Sequence, residues 1–312
     1  MNALTFWKRF FFLCLCVILL DFSIGKFLEF FYFKQKKGRV YNVTVALEKQ
    51  TCDVLILGSS RAMHHYNPEI LSDSLKHSCY NAGLDGQSIL YSKGVFDVVI
   101  ERHKPKVVIL DLTLSEFDQE QTSYDMLYIL NPYVRRHPIL WKTLSLKSKA
   151  EKIKHLSSIY PYNSLIAEIA IGNISVSLKP NEISETGFTP SYGIWKEKIT
   201  TVDFPDSALD AVKTKAFEDI CSFCSENNID LYVVISPAFL IIENVSSSIS
   251  YLEWACDSLN VTLLNFINDI NYMDNNHFGD MVHLNAQGAD LFSKDVSHRI
   301  LTIKDDAAIL ID

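Results

Sequence analysis

The stretch Asp53-Val-Leu-Ile-Leu57 is a short, mostly apolar run that stops at Gly58, and Ser59, Ser60 and Arg61 follow. A run of that length and branching predicts a buried strand, and the mixed residues after the glycine predict a helix. This unit repeats in outline. A helical pattern at 68–75, begun by Pro68, leads to a strand at 78–82 and a loop with two glycines, Gly83 and Gly86. A helical pattern at 89–102 then leads to the strand 106–111, which ends in Asp111. Strand and helix in strict alternation build a parallel sheet with helices on both faces.

From about 117 to 205 the alternation lapses. Tyrosine, proline, asparagine and lysine are frequent there, and helical stretches near 121–130, 138–156 and 162–171 have no strands between them. This reads as an insertion able to cap a site at the sheet's carboxyl edge and to touch substrate. Alternation returns with a helix at 207–227, a strand at 230–236, a helix at 247–260 and a strand at 261–266. A polar loop at 269–282 precedes a last helix at 284–300, for which Asn285 is the expected N-cap.

The N-terminus has a different character. Lys8 and Arg9 precede 11 uninterrupted apolar residues at 10–20; Asp21 interrupts, and apolar character resumes to 33 around Lys26 and Glu29. The 1–33 segment reads as an uncleaved signal anchor, because no small-residue cleavage site follows it cleanly. A cleaved signal and a buried or amphipathic helix are the other readings. Lys8 and Arg9 favour an N-terminus on the cytoplasmic side, whereas Lys34, Lys36, Lys37 and Arg39 pull the other way. Residues 34–51 read as a polar connector, and 52–312 as the globular domain. A net charge of -8 argues against a nucleic-acid-binding surface. Cys221-Ser-Phe-Cys224 lies in a helical pattern without a second metal pair and reads as buried thiols.

A serine on a turn between strand and helix can act as a nucleophile, with helix N–H groups to hold an oxyanion. It needs a base. Asp280-Met-Val-His283, just ahead of the last helix, provides one: a histidine takes the proton and the aspartate three residues earlier fixes its tautomer. His64, His65 and His277 raise a metal alternative, but His277-x-x-Asp280-x-x-His283 is no recognised zinc spacing. No metal or other cofactor is expected.

With these residues together, the chain resembles the SGNH (GDSL-like) hydrolase superfamily. Gly58-Ser59-Ser60 resembles its first block and Asn81-Ala-Gly-Leu-Asp-Gly86 its second. Asp280-Met-Val-His283 matches its fourth. The resemblance covers roughly 52–116 and 207–300. It departs in two places: Ser59 stands where an aspartate is usual, and the third-block asparagine is missing, with Ser115 about where it belongs. A Gly-Ser-Ser turn after a membrane anchor is similar to the DltD-like and polysaccharide O-acetyltransferase-like branches.

The resemblance implies a three-layer α/β/α domain with a parallel, flavodoxin-like sheet, a cap-like insertion and an N-terminal transmembrane helix. It implies Ser60 as nucleophile, His283 as base and Asp280 as its partner. Oxyanion donors would come from Ser60, Gly86 and the Ser115 hydroxyl. Arg61, next after the serine, reads either as an anion or sugar contact in the pocket or as a solvated or structural arginine. The implied activity is that of an extracytoplasmic esterase or O-acyltransferase on acylated cell-surface carbohydrate, with a membrane-bound acyltransferase as a candidate partner. The alternatives are a non-catalytic glycan-binding or membrane-complex protein, and a lipid esterase or thioesterase.

Overall fold

The computed structural model describes residues 2–173, 185–204 and 206–309. Residues 174–184 and 205 of the expected insertion lie outside the described residues.

The chain opens with α1 (Ala3–Lys34), 32 residues long and apolar over most of its length. By length and composition it is the one helix among the described residues able to cross a membrane. Next comes α2 (Arg39–Glu48). The elements β1 (Val54–Leu57), α3 (Ser60–His65), α4 (Pro68–Leu75), β2 (Cys79–Asn81), α5 (Ile89–Arg102) and β3 (Val107–Asp111) then alternate. The following segment carries α6 (Gln121–Asp125), α7 (Leu140–Leu144), α8 (Glu151–Lys154) and α9 (Ile166–Asn173), with tighter 3-10 turns over Met126–Tyr133 and Tyr160–Leu165. After β4 (Thr200–Val202) come α10 (Ala211–Glu226), β5 (Asp230–Ile235), β6 (Leu240–Ile242), α11 (Ser247–Ser258), β7 (Thr262–Asn265) and α12 (Ala286–Ile309).

Five strands form one parallel sheet in the order β2–β1–β3–β5–β7. Without the two short outlying strands this is the doubly wound, flavodoxin-like order, so the fold class is as expected from the alternation. Side chains alternate between the faces of a strand, and β1 divides accordingly. Leu55 and Leu57 join a core under α5 and α10, while Val54 and Ile56 join a second core under α4 and α12. Both faces are covered, which is why β1 and most of β3 and β5 are continuously apolar. Local signals set the helix starts. Asn67 accepts the Glu69 N–H ahead of α4, Asp210 accepts two N–H groups opening α10, and Asn285 accepts that of Gly288.

Two stretches differ from the sequence expectation. Residues 34–51 are not simply a polar connector, because α2 buries Val40, Val43, Ala46 and Leu47 in the first core. Their spacing of three and four is a helical stripe, diluted in the sequence by polar neighbours. The 117–205 segment divides. Its first part buries Leu130, Tyr133 and Leu144 against α5, α2 and α1. Its second part contains a strand after all: β4 pairs in parallel with β6 in a separate two-stranded sheet. At three residues each, these strands are too short to read from periodicity.

Candidate active site

The chain changes direction at Gly58 because little else fits there. Its φ is +148°, and a Cβ would stand 2.6 Å from the Asp111 carbonyl oxygen at the end of β3. This close approach is at the sheet's switch point, between β1 and β3, where open α/β sheets form a crevice. Ser59 then begins α3, its carbonyl accepting the Met63 N–H at 3.1 Å, and Ser60 is the first helical residue.

Helical rotation sorts α3. Ser60 and His64, four apart, share one face; Arg61 and His65 share the next. The Ser60 Oγ lies 2.7 Å from His283 Nε2, and His283 Nδ1 lies 2.8 Å from Asp280 Oδ2. An ionised carboxylate only accepts, so Nδ1 carries the proton and Nε2 accepts from the serine. Asp280 Oδ1 also accepts the N–H groups of Val282 and His283, both at 2.8 Å. Burial alone would raise the Asp280 pKa, but those N–H groups and the His283 ring outweigh it and hold the carboxyl below its usual range. The loop is closed by Gly279 N–H on the His283 carbonyl, and by Leu284 N–H on the Nε2 of His65, at 3.0 Å.

His64 and His65 adopt opposite charge states. The Nε2 of His65 accepts a backbone proton, so its Nδ1 donates to Ser236 Oγ at 3.0 Å and the ring is neutral. Full burial and the charge of Arg61 push its pKa well down. His64 faces two acceptors: the Thr189 carbonyl at 2.6 Å from Nδ1 and Asp85 Oδ1 at 3.2 Å from Nε2. Both nitrogens must donate, so this ring is an imidazolium. Burial opposes the charge, but the bonds to Asp85 and Thr189 prevail and its pKa is raised; Asp85 is lowered, chiefly by its bond to His64. The His64 ring stands edge-on to His283 with centroids 5.4 Å apart. It ties the serine's helix to the Gly83–Gly86 loop and to the second part of the inserted segment.

That part runs along the site. Thr189 N–H donates to the Met63 carbonyl, Ala286 N–H to Ser191, and Trp195 N–H to Phe278. The role of His64, Asp85 and Thr189 was not legible in the sequence. Four-residue spacing from Ser60 was the available signal for His64; its partners come from loops 21 and 125 residues away.

The expected oxyanion donors are placed as follows. Among the described residues, no acceptor takes the backbone N–H of Ser60 or of Gly86, which has a φ of +69°. Ser115 is on an exposed turn after β3, where its carbonyl accepts the Asp118 N–H. Its neighbour Glu116 is the inward residue, accepting the Ile89 N–H at 2.6 Å and the Thr113 hydroxyl at 2.9 Å. The pocket-contact reading of Arg61 is corrected. Arg61 is 5% exposed and turned into the protein, donating to the hydroxyl and carbonyl of Ser236, with Asp111 4.0 Å from its Nε. Asp111 also accepts from Tyr66 at 2.7 Å. A buried guanidinium needs such partners, and none of them is open to substrate. His277, weighed above as a metal ligand, offers its carbonyl to Asn285 N–H at 2.9 Å.

No family model matches the chain. No curated protein matches it either. A solved structure of a proposed lipolytic protein of the G-D-S-L family from Desulfitobacterium hafniense DCB-2 is similar at a TM-score of 0.39 and 10% identity, over 79% of this chain and 98% of that one. At that level the similarity carries no weight. The fold rests on the sheet order and the site on its own geometry.

Proposed function

We propose that the chain is a membrane-anchored serine esterase or O-acyltransferase, with acetyl esters of cell-surface carbohydrate as its substrate class. The observation that supports this most is the unbroken hydrogen-bond chain Ser60–His283–Asp280, beside N–H groups that no described residue engages. Ser60 Oγ attacks the ester carbonyl carbon and its proton passes to His283 Nε2. The Ser60 and Gly86 N–H groups receive the oxyanion. Collapse expels the alcohol, which takes the proton from His283 and leaves acyl-Ser60. Water or a sugar hydroxyl then attacks with His283 as base, releasing the acid or the new ester and restoring Ser60. A membrane-bound acyltransferase is the candidate source of acyl groups if the acceptor is a sugar.

A fluorophosphonate probe tests the nucleophile: wild type is labelled and Ser60→Ala is not. Equal labelling of the two would sink the reading. Acetate release from acetylated xylan marks a hydrolase, and acyl transfer to glycan without free acetate marks a transferase. The catalytic domain is extracytoplasmic in this proposal, so a C-terminal reporter active only in the cytoplasm would overturn that part of it.

A further inference from the structure

The helix α1 is longer than a bilayer requires. Thirty-two residues at about 1.5 Å each reach roughly 48 Å, whereas a hydrocarbon core of about 30 Å takes about 20 residues. Its last third is used for docking. Gly25, Leu28 and Tyr32 are buried, and Tyr32 donates to the hydroxyl of Tyr133 at 3.0 Å. Gly25 permits the closest approach, since a Cβ there would meet Ser158 at 2.4 Å. Just before these residues a polar contact joins the helix to the body: Asp21 accepts from the Ser157 hydroxyl at 2.5 Å and from the Ser158 N–H at 2.6 Å.

Those bonds set a level. The buried residues of α1 all lie after Asp21, so the part left to lipid is the apolar run 10–20, which ends at Asp21. Residues 157–158 therefore stand at the membrane boundary, and so do their neighbours. Two of those neighbours are bare hydrophobics: Leu156 is 82% exposed and Ile153 69%. Ile166 and Ile171 on α9, which packs along α1, are 52% and 64% exposed. Lys149, Lys152 and Lys154 are exposed among them, while the nearest acid, Glu151, is buried and paired with Lys154 at 2.8 Å. In a chain of net charge -8 this local excess of lysine is distinctive. Exposed hydrophobics ringed by lysines suit an interface of acyl chains and anionic headgroups.

We infer that the 146–171 face is a lipid-contact platform, seating the body on the bilayer surface beside α1 with Ile153, Leu156 and Ile166 in the acyl boundary. It rests on the reading of α1 as a membrane span and extends it from a tether to a fixed seat. The lysines around the apolar residues meet phosphate headgroups. The platform lies on the first-core side of the sheet, which fixes which face of the domain points to the membrane.

The test uses the full chain in nanodiscs of phosphatidylcholine and phosphatidylglycerol. Cys14→Ser and Cys16→Ser remove the two partly exposed thiols; the other five cysteines are buried. Leu156→Cys and Ile153→Cys then carry an NBD fluorophore, with Phe12→Cys as the span control. Ile270→Cys, 80% exposed and close to the second core, is the water control. The expected result is blue-shifted emission at 153 and 156, quenched by spin-labelled lipid several-fold more than at 270. If 12 is quenched while 153 and 156 behave like 270, the platform is overturned and the span stands. If 12 also behaves like 270, the span fails with it. A blue shift at 156 without lipid quenching means protein covers this face, either a second copy or another chain, and also overturns the proposal.

Discussion

The imidazole of His64 lies 3.2 Å from the carboxylate of Asp85, and the pair holds the serine's helix against the glycine loop. The ring's other nitrogen meets the Thr189 carbonyl, so the clamp needs a protonated histidine and an ionised aspartate. His283 is the next titratable ring, with Asp280 beyond it; Arg39 binds the Asp85 carbonyl at 3.0 Å. The His64 pKa is raised by folding, so its contribution to stability is full below the unfolded value of about 6.5 and is lost as pH rises through the folded value. Asp85 is lowered, so its share is present above the usual aspartate range and is lost as pH falls through its folded value. The melting temperature is expected to decline as pH rises above about 6.5 in wild type, and His64→Gln should flatten that decline. An unchanged alkaline slope in the variant would refute the clamp.

The bond between Ser60 and His283 predicts a graded loss of activity. Ser60→Ala is expected to remove about 10⁴–10⁶-fold of kcat, and Asp280→Asn about 10²–10⁴-fold, with far-ultraviolet circular dichroism unchanged. Asp280 is 48% exposed on its side chain, so water can partly replace it and its loss falls at the lower end. Steady-state kinetics on p-nitrophenyl acetate measure both.

Gly58→Ala should be harmful by geometry alone. The backbone is in a region L side chains rarely adopt, and the new Cβ would stand 2.6 Å from the Asp111 carbonyl oxygen. A loss of about 1–3 kcal/mol is expected by urea titration, with Ser60 displaced and probe labelling slowed. Normal labelling at full stability would contradict this account of the turn.

Arg61 separates a structural from a substrate role. Its removal leaves Asp111 buried without its cation, so Arg61→Met is expected to cost about 3–5 kcal/mol. The molecules that stay folded at low temperature should keep their KM. A raised KM at unchanged stability would restore Arg61 as a substrate contact.

Legibility in the sequence followed the range of the interaction. The apolar runs at β1, β3 and β5 announced a parallel sheet because both faces of each strand are buried. The serine turn and Asp280-x-x-His283 were recognisable because each is a local unit whose spacing is its chemistry. The α2 helix was missed although Val40, Val43 and Leu47 carried the right period, since polar neighbours hid it. Arg61 was left with two readings because adjacency in sequence does not fix which way a side chain points. On a helix the next residue points about 100° away.

By itself, then, the sequence determined the layered α/β class, the apolar N-terminal helix and the identity of Ser60, His283 and Asp280 as candidates. These depend on periodicity and on contacts within a few residues. Tertiary structure alone decided that Ser60 and His283 meet across 223 residues, that His64 is charged and His65 neutral, and that Arg61 faces inward. Each of these depends on which distant carbonyl, carboxylate or N–H arrives beside a side chain. Only the packed sheet and its loops bring such partners within hydrogen-bond range.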